Sequence, residues 1–221
     1  MTDRSDWQAL LPGPWRRAAG GLAMVSALGV AMLAWRYHDQ HGPGRFDLVV
    51  YDQLAALGRH EGTLWRISLL GSPLMLVLGT IGLTLIAVLL RRRSAVALAL
   101  FGPSLAAIIT ELALKPLVGR TLDDDLAMPS GHTTSVAGLA SVAVVLLIAS
   151  AGLLSVRARA LLAAGTALAV AAVAVSMVAS QRHYATDTVA GVLVALTVVA
   201  VLALLIDSVD WFARPLGGHS G

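Results

Sequence analysis

Two histidines and an aspartate in this chain have the types and spacing for phosphoryl chemistry. His183 and Asp187 stand four apart. On a helix that spacing puts both on one face, where the carboxylate can accept the imidazole N–H. A carboxylate so placed fixes the tautomer and stabilises the ring as it becomes positive, leaving the other nitrogen to attack. A histidine nucleophile divides the hydrolysis of a phosphate ester into two steps joined by a phosphohistidine. Taken alone, the same residues also suit an interfacial His-Tyr pair followed by a helix-capping aspartate.

The run Pro129-Ser130-Gly131-His132 supplies the complement. Pro and Gly make a tight turn, and the N–H groups of Ser130, Gly131 and His132 at a helix N-terminus can hold an anion. Ser130 adds a hydroxyl donor. His132 can protonate a leaving alkoxide and then activate water. The plainer alternative is a loop-to-helix cap with Ser130 as N-cap. Lys115 and Arg120 precede this run and can neutralise phosphate oxygens, Arg120 through its fork. Cations at the ends of apolar segments also snorkel to headgroups, and the same two readings apply to Arg182. Glu111 lies one turn before Lys115 and pairs with it at i, i+4. Asp123-Asp124-Asp125 reads as a solvated loop and not a metal site, because three consecutive acids do not all face one ion. The absence of cysteine excludes disulfides and Cys-based metal sites or nucleophiles. Neither a metal nor any other cofactor is expected.

The elements that position these groups follow from composition. The chain is 57% hydrophobic and 13% charged, with mean hydropathy +0.78. A soluble globule of 221 residues cannot hide that much apolar surface, so part of the solvent is lipid. Runs such as 142–148 are apolar all round, which argues for helices and against alternating barrel strands. The predicted class is an all-α polytopic membrane protein, a six-transmembrane-helix bundle. Its spans are Ala18–Trp35, Leu64–Leu90, Ser94–Leu114, Thr133–Ser155, Arg159–Ser180 and Thr188–Ile206. The segment His38–Thr63, with a turn at Gly42-Pro43-Gly44 and an amphipathic patch at Val49–Leu57, is predicted to lie on the membrane surface after the first helix. Lys115–His132 is predicted to be a polar loop. Residues 1–17 and 207–221 are predicted as cytoplasmic tails flanking one membrane domain, 18–206, with Pro215–Gly218 disordered. A cleavable signal peptide is disfavoured, since no small-x-small site follows the first span and Trp35-Arg36-Tyr37 reads as an interface anchor.

Six crossings put Arg4, Arg16, Arg17, Arg91, Arg92, Arg93, Arg157, Arg159 and Arg214 on one side, in short loops. Arg36, Arg45, Arg59, Arg66, Lys115, Arg120 and Arg182 fall on the other. The short-loop bias makes the first side cytoplasmic, with both termini there and the chemistry facing outward. No stripe of basic and aromatic residues suggests nucleic acid. The partners expected are the bilayer and a membrane lipid substrate; a homo-oligomer stays open. The Ala, Leu, Val, Gly and Arg bias points to a GC-rich bacterial genome, hence a bacterial plasma membrane.

On these residues the stretch from Asp47 to Ile206 resembles the type 2 phosphatidic acid phosphatase superfamily of membrane lipid phosphatases. The family signature K-x6-R-P, often with an extra arginine five places after the lysine, is matched by Lys115 and Arg120, but Leu122 and Asp123 stand where Arg-Pro is usual. P-S-G-H is complete at 129–132. S-R-x5-H-x3-D is matched by Ser176, His183 and Asp187, with Met177 at the arginine place. The resemblance implies His183 as nucleophile, Asp187 as its partner and His132 as the acid. It implies Lys115, Arg120, Ser130 and Gly131 as phosphate ligands, no metal, and a six-helix bundle with the site at the outer interface. Arg182 is a candidate replacement for a missing arginine; Ser176 is either supporting or plain interhelical glue.

The expected activity is removal of phosphate from a lipid phosphate or diphosphate, such as a polyprenyl carrier, phosphatidate or phosphatidylglycerophosphate. Small residues Gly131, Ala137, Gly138 and Ala140 leave room for a chain, or serve helix packing. Two alternatives stand beside it: a non-catalytic lipid-phosphate binder on a decayed phosphatase fold, motivated by Leu122 and Met177, and phosphoryl transfer to an acceptor other than water.

Overall fold

The computed structural model describes residues 9–150 and 152–212, most of them helical. Helix α1 spans Gly13–Tyr37. After a loop come α2 (Arg45–Leu54), a 3-10 turn and α3 (Glu61–Ser68). Then follow α4 (Pro73–Leu89) and α5 (Arg93–Ile108), which runs on through a π-helical stretch, Ile109–Leu114, into α6 (Lys115–Val118). A two-stranded hairpin, β1 (Thr121–Leu122) and β2 (Asp125–Leu126), leads to α7 (Gly131–Ala149), α8 (Val156–Ala179) and α9 (Ala185–Phe212).

Among the described residues, five helices are each long and apolar enough to cross a membrane, and there is a sixth crossing if Arg45–Gly71 and Pro73–Leu89 count as one bent span. The predicted second span, Leu64–Leu90, is broken by a bend of 46° between those segments. The cause is local. Pro73 forces Ser72 into extended backbone (ψ 157°), and Ser72 then caps α4 by accepting from the Met75 N–H at 3.3 Å. The chain is thus an all-α polytopic integral membrane protein, with α2 and α3 forming the segment after the first helix.

Two other boundaries differ from expectation. The predicted loop Lys115–His132 starts as helix, and its tip is a hairpin whose turn residues Asp123 and Asp124 have φ of 50° and 66°, conformations that Asp tolerates better than most residues. The predicted N-terminal tail is anchored from residue 10 on. Leu10 and Leu11 are buried in the core, and their N–H groups donate to the Asp207 carboxylate at 2.7 and 3.1 Å. Asp207 lies in α9, which continues past the predicted start of the C-terminal tail. Residues 1–8 and 213–221, with Pro215–Gly218 among them, lie outside the described residues.

Helices α7 and α9 are central. The first packs on α4, α5, α8 and α9; the second also packs on α1 and α5. Leu98, Val142, Leu146 and Val199 fill the core, with Ala95, Ala99 and Ala203 allowing close approach. Large apolar side chains face outward, Trp35, Leu89, Leu112 and Leu161 all more than 70% exposed. That surface would be unstable in water and is at rest in hydrocarbon. From the helix directions, the starts of α7 and α9 lie at the same end as Lys115, and the turn carrying Arg91, Arg92 and Arg93 lies at the other.

The two helix starts are pinned together. The Ser130 N–H donates to the Asp187 carbonyl at 3.0 Å. One turn further along α9, Gly191 lets the Ser130 carbonyl in: a Cβ there would lie 2.7 Å from that oxygen and 3.0 Å from Thr134 Oγ1. Gly191→Ala is therefore expected to push α7 off α9, at a cost of about 1–3 kcal/mol. The check is a lowered unfolding midpoint of the purified variant beside wild type.

Candidate functional site

One pocket, of about 1180 Å3, opens at the end where α7 and α9 begin. His132 and His183 both line it, together with Lys115, Arg182, Glu111 and Gly131. The two imidazoles, distant in sequence, thus share a single cavity.

His132 is the second residue of α7. Its neighbour Ser130 is the N-cap, and Thr133 Oγ1 donates to Ser130 Oγ at 3.2 Å. Ser130 is fully buried and does not line the pocket. Its side chain ties the helix start. The N–H groups of Gly131 and His132 stand in the first turn of a 19-residue helix, where backbone donors lack intrahelical partners and can receive an anion.

His183 reaches the pocket by a route that spacing does not predict. It is not on α9 but in the loop before it. Helix α8 ends in a Schellman motif: the Arg182 N–H bonds to the Met177 carbonyl at 3.0 Å and the Gln181 N–H to the Val178 carbonyl at 3.0 Å. Gln181 takes the left-handed position, φ 58°, that glycine usually fills, and its side-chain amide donates to the Tyr51 hydroxyl. The His183 N–H also reaches the Met177 carbonyl, at 3.3 Å. This turn aims His183 inward, its side chain 12% exposed. Met177 is buried against Val136 and Val173, so the position where the family pattern has an arginine is part of the core. Leu122, at the other departure, lines the pocket. Ser176 is buried and bonds the Val173 carbonyl of its own helix at 2.8 Å, away from the pocket.

Asp187 is the third residue of α9, and its Oδ2 accepts the Tyr184 N–H at 2.9 Å, a helix-capping bond. The same oxygen is 3.7 Å from His183 Nδ1. That is an ion-pair distance and not a hydrogen bond, and His183 Nδ1 is buried with no hydrogen-bond partner.

Arg120 departs from the expected role. It is fully buried and does not line the pocket. Nη1 donates to Asp187 Oδ1 at 2.7 Å and Thr186 Oγ1 at 2.6 Å; Nη2 donates to Asp47 Oδ2 at 2.7 Å and the Gly42 carbonyl at 3.2 Å. The guanidinium is stacked between the rings of Tyr37 and Tyr184, 4.1 Å from each centroid. Burial raises the Tyr184 phenol above its ordinary value. Asp47 Oδ1 accepts from the Thr186 N–H and hydroxyl at 2.9 and 2.8 Å. Both Nη groups of Arg120 are taken by this network, leaving no fork for phosphate, and its Nε is buried without a hydrogen-bond partner. Asp123, Asp124 and Asp125 are exposed on the hairpin, where they line the pocket and make no ion pair with Arg120.

Asp47, Tyr37 and Thr186 were invisible as site residues in the sequence. The available hint is an acid in the otherwise amphipathic stretch Arg45–Leu54, but Asp47 also caps that helix by accepting the Gly44 N–H at 2.9 Å, so the hint has a sufficient local explanation. Glu111 and Lys115 pair as expected, Oε2 to Nζ at 2.8 Å. Among the described residues no group of three or more His, Asp or Glu could hold a metal ion.

The profile of the PAP2 superfamily matches residues 74–210, more than half of the chain. The match takes in Lys115, both histidines and Asp187, and leaves out Tyr37 and Asp47. No curated protein and no solved structure matches the chain.

Proposed function

The chain belongs to the PAP2 superfamily, whose members are generally phosphatases, and from that premise we propose that it hydrolyses a lipid phosphate or diphosphate through a phosphohistidine at His183. The observation that carries the reading is the convergence of His132 and His183 on one pocket that also holds Lys115 and Arg182.

In the first step His183 Nε2 attacks phosphorus, the ester P–O bond breaks, and His132 gives its proton to the departing lipid oxygen. In the second, His132 takes a proton from water, the hydroxide attacks the phosphohistidine, and the P–N bond breaks to release phosphate. Lys115, Arg182 and the N–H groups of Gly131 and His132 hold the phosphoryl oxygens. Such donors supply most of the catalysis in phosphoryl transfer. Arg182 stands in for one of the two arginines absent at Leu122 and Met177.

Asp187 Oδ2, 3.7 Å from His183 Nδ1, accepts the Nδ1–H once the two draw to hydrogen-bond distance. Arg120 is a positioning residue: it fixes Asp187 and touches no substrate. Two carboxylates, Asp47 and Asp187, share one guanidinium, so the buried group carries one net negative charge. That charge stabilises the positive charge that builds on His183 as it attacks.

The apolar pocket wall and the lipid solvent support a lipid substrate. With the arginine-rich turns at the opposite end, the positive-inside bias supports a pocket facing out of a bacterial plasma membrane and both termini in the cytoplasm. The test is phosphate release by purified protein from polyprenyl diphosphate, phosphatidate and phosphatidylglycerophosphate. Asp187→Asn is expected to lower kcat by about 10²–10⁴ and to lower the unfolding midpoint as well, since an amide oxygen that keeps the Tyr184 cap turns its NH2 toward Arg120 Nη1 and gives up the buried ion pair. Release from none of these lipids by wild type would leave the binder reading in its place. A product phosphorylated on an added alcohol would mark a transferase.

A further inference from the structure

We propose that Glu111 is a specificity-determining residue: an internal anion that holds the phosphate's place in the pocket, turns away free orthophosphate and yields to a phosphate carried on an apolar chain. The inference rests on the phosphatase reading for its consequence, but not for its geometry.

Glu111 Oε2 lies 2.8 Å from Lys115 Nζ. The other oxygen crowds Gly131, the first residue of α7. A Cβ on Gly131 would overlap Oε1 and lie 3.2 Å from Glu111 Cδ and 4.0 Å from Lys115 Nζ. The carboxylate therefore sits between the pocket's lysine and the start of α7, the two features that would receive phosphate oxygens. Only glycine at 131 admits it. The residues that carry it, Ile109–Leu114, are π-helical, a form common at functional positions. The Glu111 side chain is 47% exposed and its partner 16%, so the carboxylate can swing toward solvent while Lys115 stays.

A phosphate dianion approaching Lys115 meets a like charge at close range and must displace it. Orthophosphate has nothing with which to offset that displacement. A lipid phosphate does: its chain gains contact with Leu76, Ile108 and Leu112, which line the same pocket. Binding remote from the phosphorus is then used to open the phosphate subsite, and discrimination comes from a repulsive element as well as an attractive one. The same device favours release of the orthophosphate product.

The probe is orthophosphate itself, with vanadate as a second, titrated calorimetrically into purified wild-type protein and into Glu111→Gln, Glu111→Ala and Glu111→Asp. Orthophosphate is expected to bind the Gln and Ala variants about tenfold tighter or more, the scale of a like-charge contact removed. The Asp variant, which keeps the charge, should stay near wild type. Equal or weaker binding by both neutral variants overturns the proposal and leaves Glu111 as a support for Lys115. Calorimetry needs no turnover, so this outcome is separate from a failure of the phosphatase assay.

Discussion

Replacing His183 by alanine is expected to abolish turnover, a fall in kcat on the order of 10³–10⁶, which is the range seen when a nucleophile is removed. His132→Ala should behave differently. It lacks the acid of the first step, and the penalty should be larger for a lipid monoester, whose leaving group is a basic alkoxide, than for a diphosphate, whose leaving group is a phosphate. It also lacks the base of the second step, so the intermediate should accumulate. With substrate labelled on phosphorus and an alkaline quench, label is expected on wild type briefly, on His132→Ala persistently and on His183→Ala never. Label on the His183 variant, or wild-type turnover in either variant, would remove the assignment. The geometry behind this is one pocket lined by both rings, with His183 held there by the end of α8 and His132 by the start of α7.

Arg120→Ala is expected to be the most destabilising single change in the molecule, by about 3–5 kcal/mol. It leaves Asp47 and Asp187, which are 1% and 0% exposed, buried without their counter-ion. Thermal unfolding of purified protein measures it. The discriminating measurement is the double variant Arg120→Ala with Asp47→Ala. If Arg120 acts through the buried network, removing Asp47 also removes one stranded charge, and the double variant should be clearly more stable than the sum of the two single changes. If instead Arg120 were a phosphate ligand, the single variant would fold normally and show its loss in KM. Additive costs, or an unperturbed midpoint with raised KM, would return Arg120 to the pocket. Lys115→Ala provides the contrast: 16% exposed and lining the cavity, it should cost substrate affinity more than stability.

The parts of the site legible in the sequence share a property: each is defined by residues close together along the chain. Pro129–His132 announces a helix start because turn residues and an N-cap are local signals, and the structure has a cap there. Glu111 and Lys115 pair because helix geometry alone brings i and i+4 together. The pairing of His183 with Asp187 was read from the same rule and is only half right. A Schellman turn ending in Gln181 carries no glycine to mark it, so the sequence places His183 on a helix that in fact starts at Ala185.

Apolar length and composition, acting through solvent, were enough to establish an all-α membrane protein with spans near their observed places, since exposed leucine and valine are stable only in lipid and backbone must then be satisfied within helices. The residue types suited to phosphoryl transfer are likewise legible in the sequence. What it leaves open is which cation lines the pocket. Lys115 and Arg120 look equivalent on paper. Folding brings Asp47, Tyr37 and Tyr184 around Arg120 from three separate segments and buries it, while Lys115 keeps a face on the cavity. A charge's role depends on its counter-ions and its distance from solvent, and for a side chain whose partners come from far along the chain only the tertiary structure decides both.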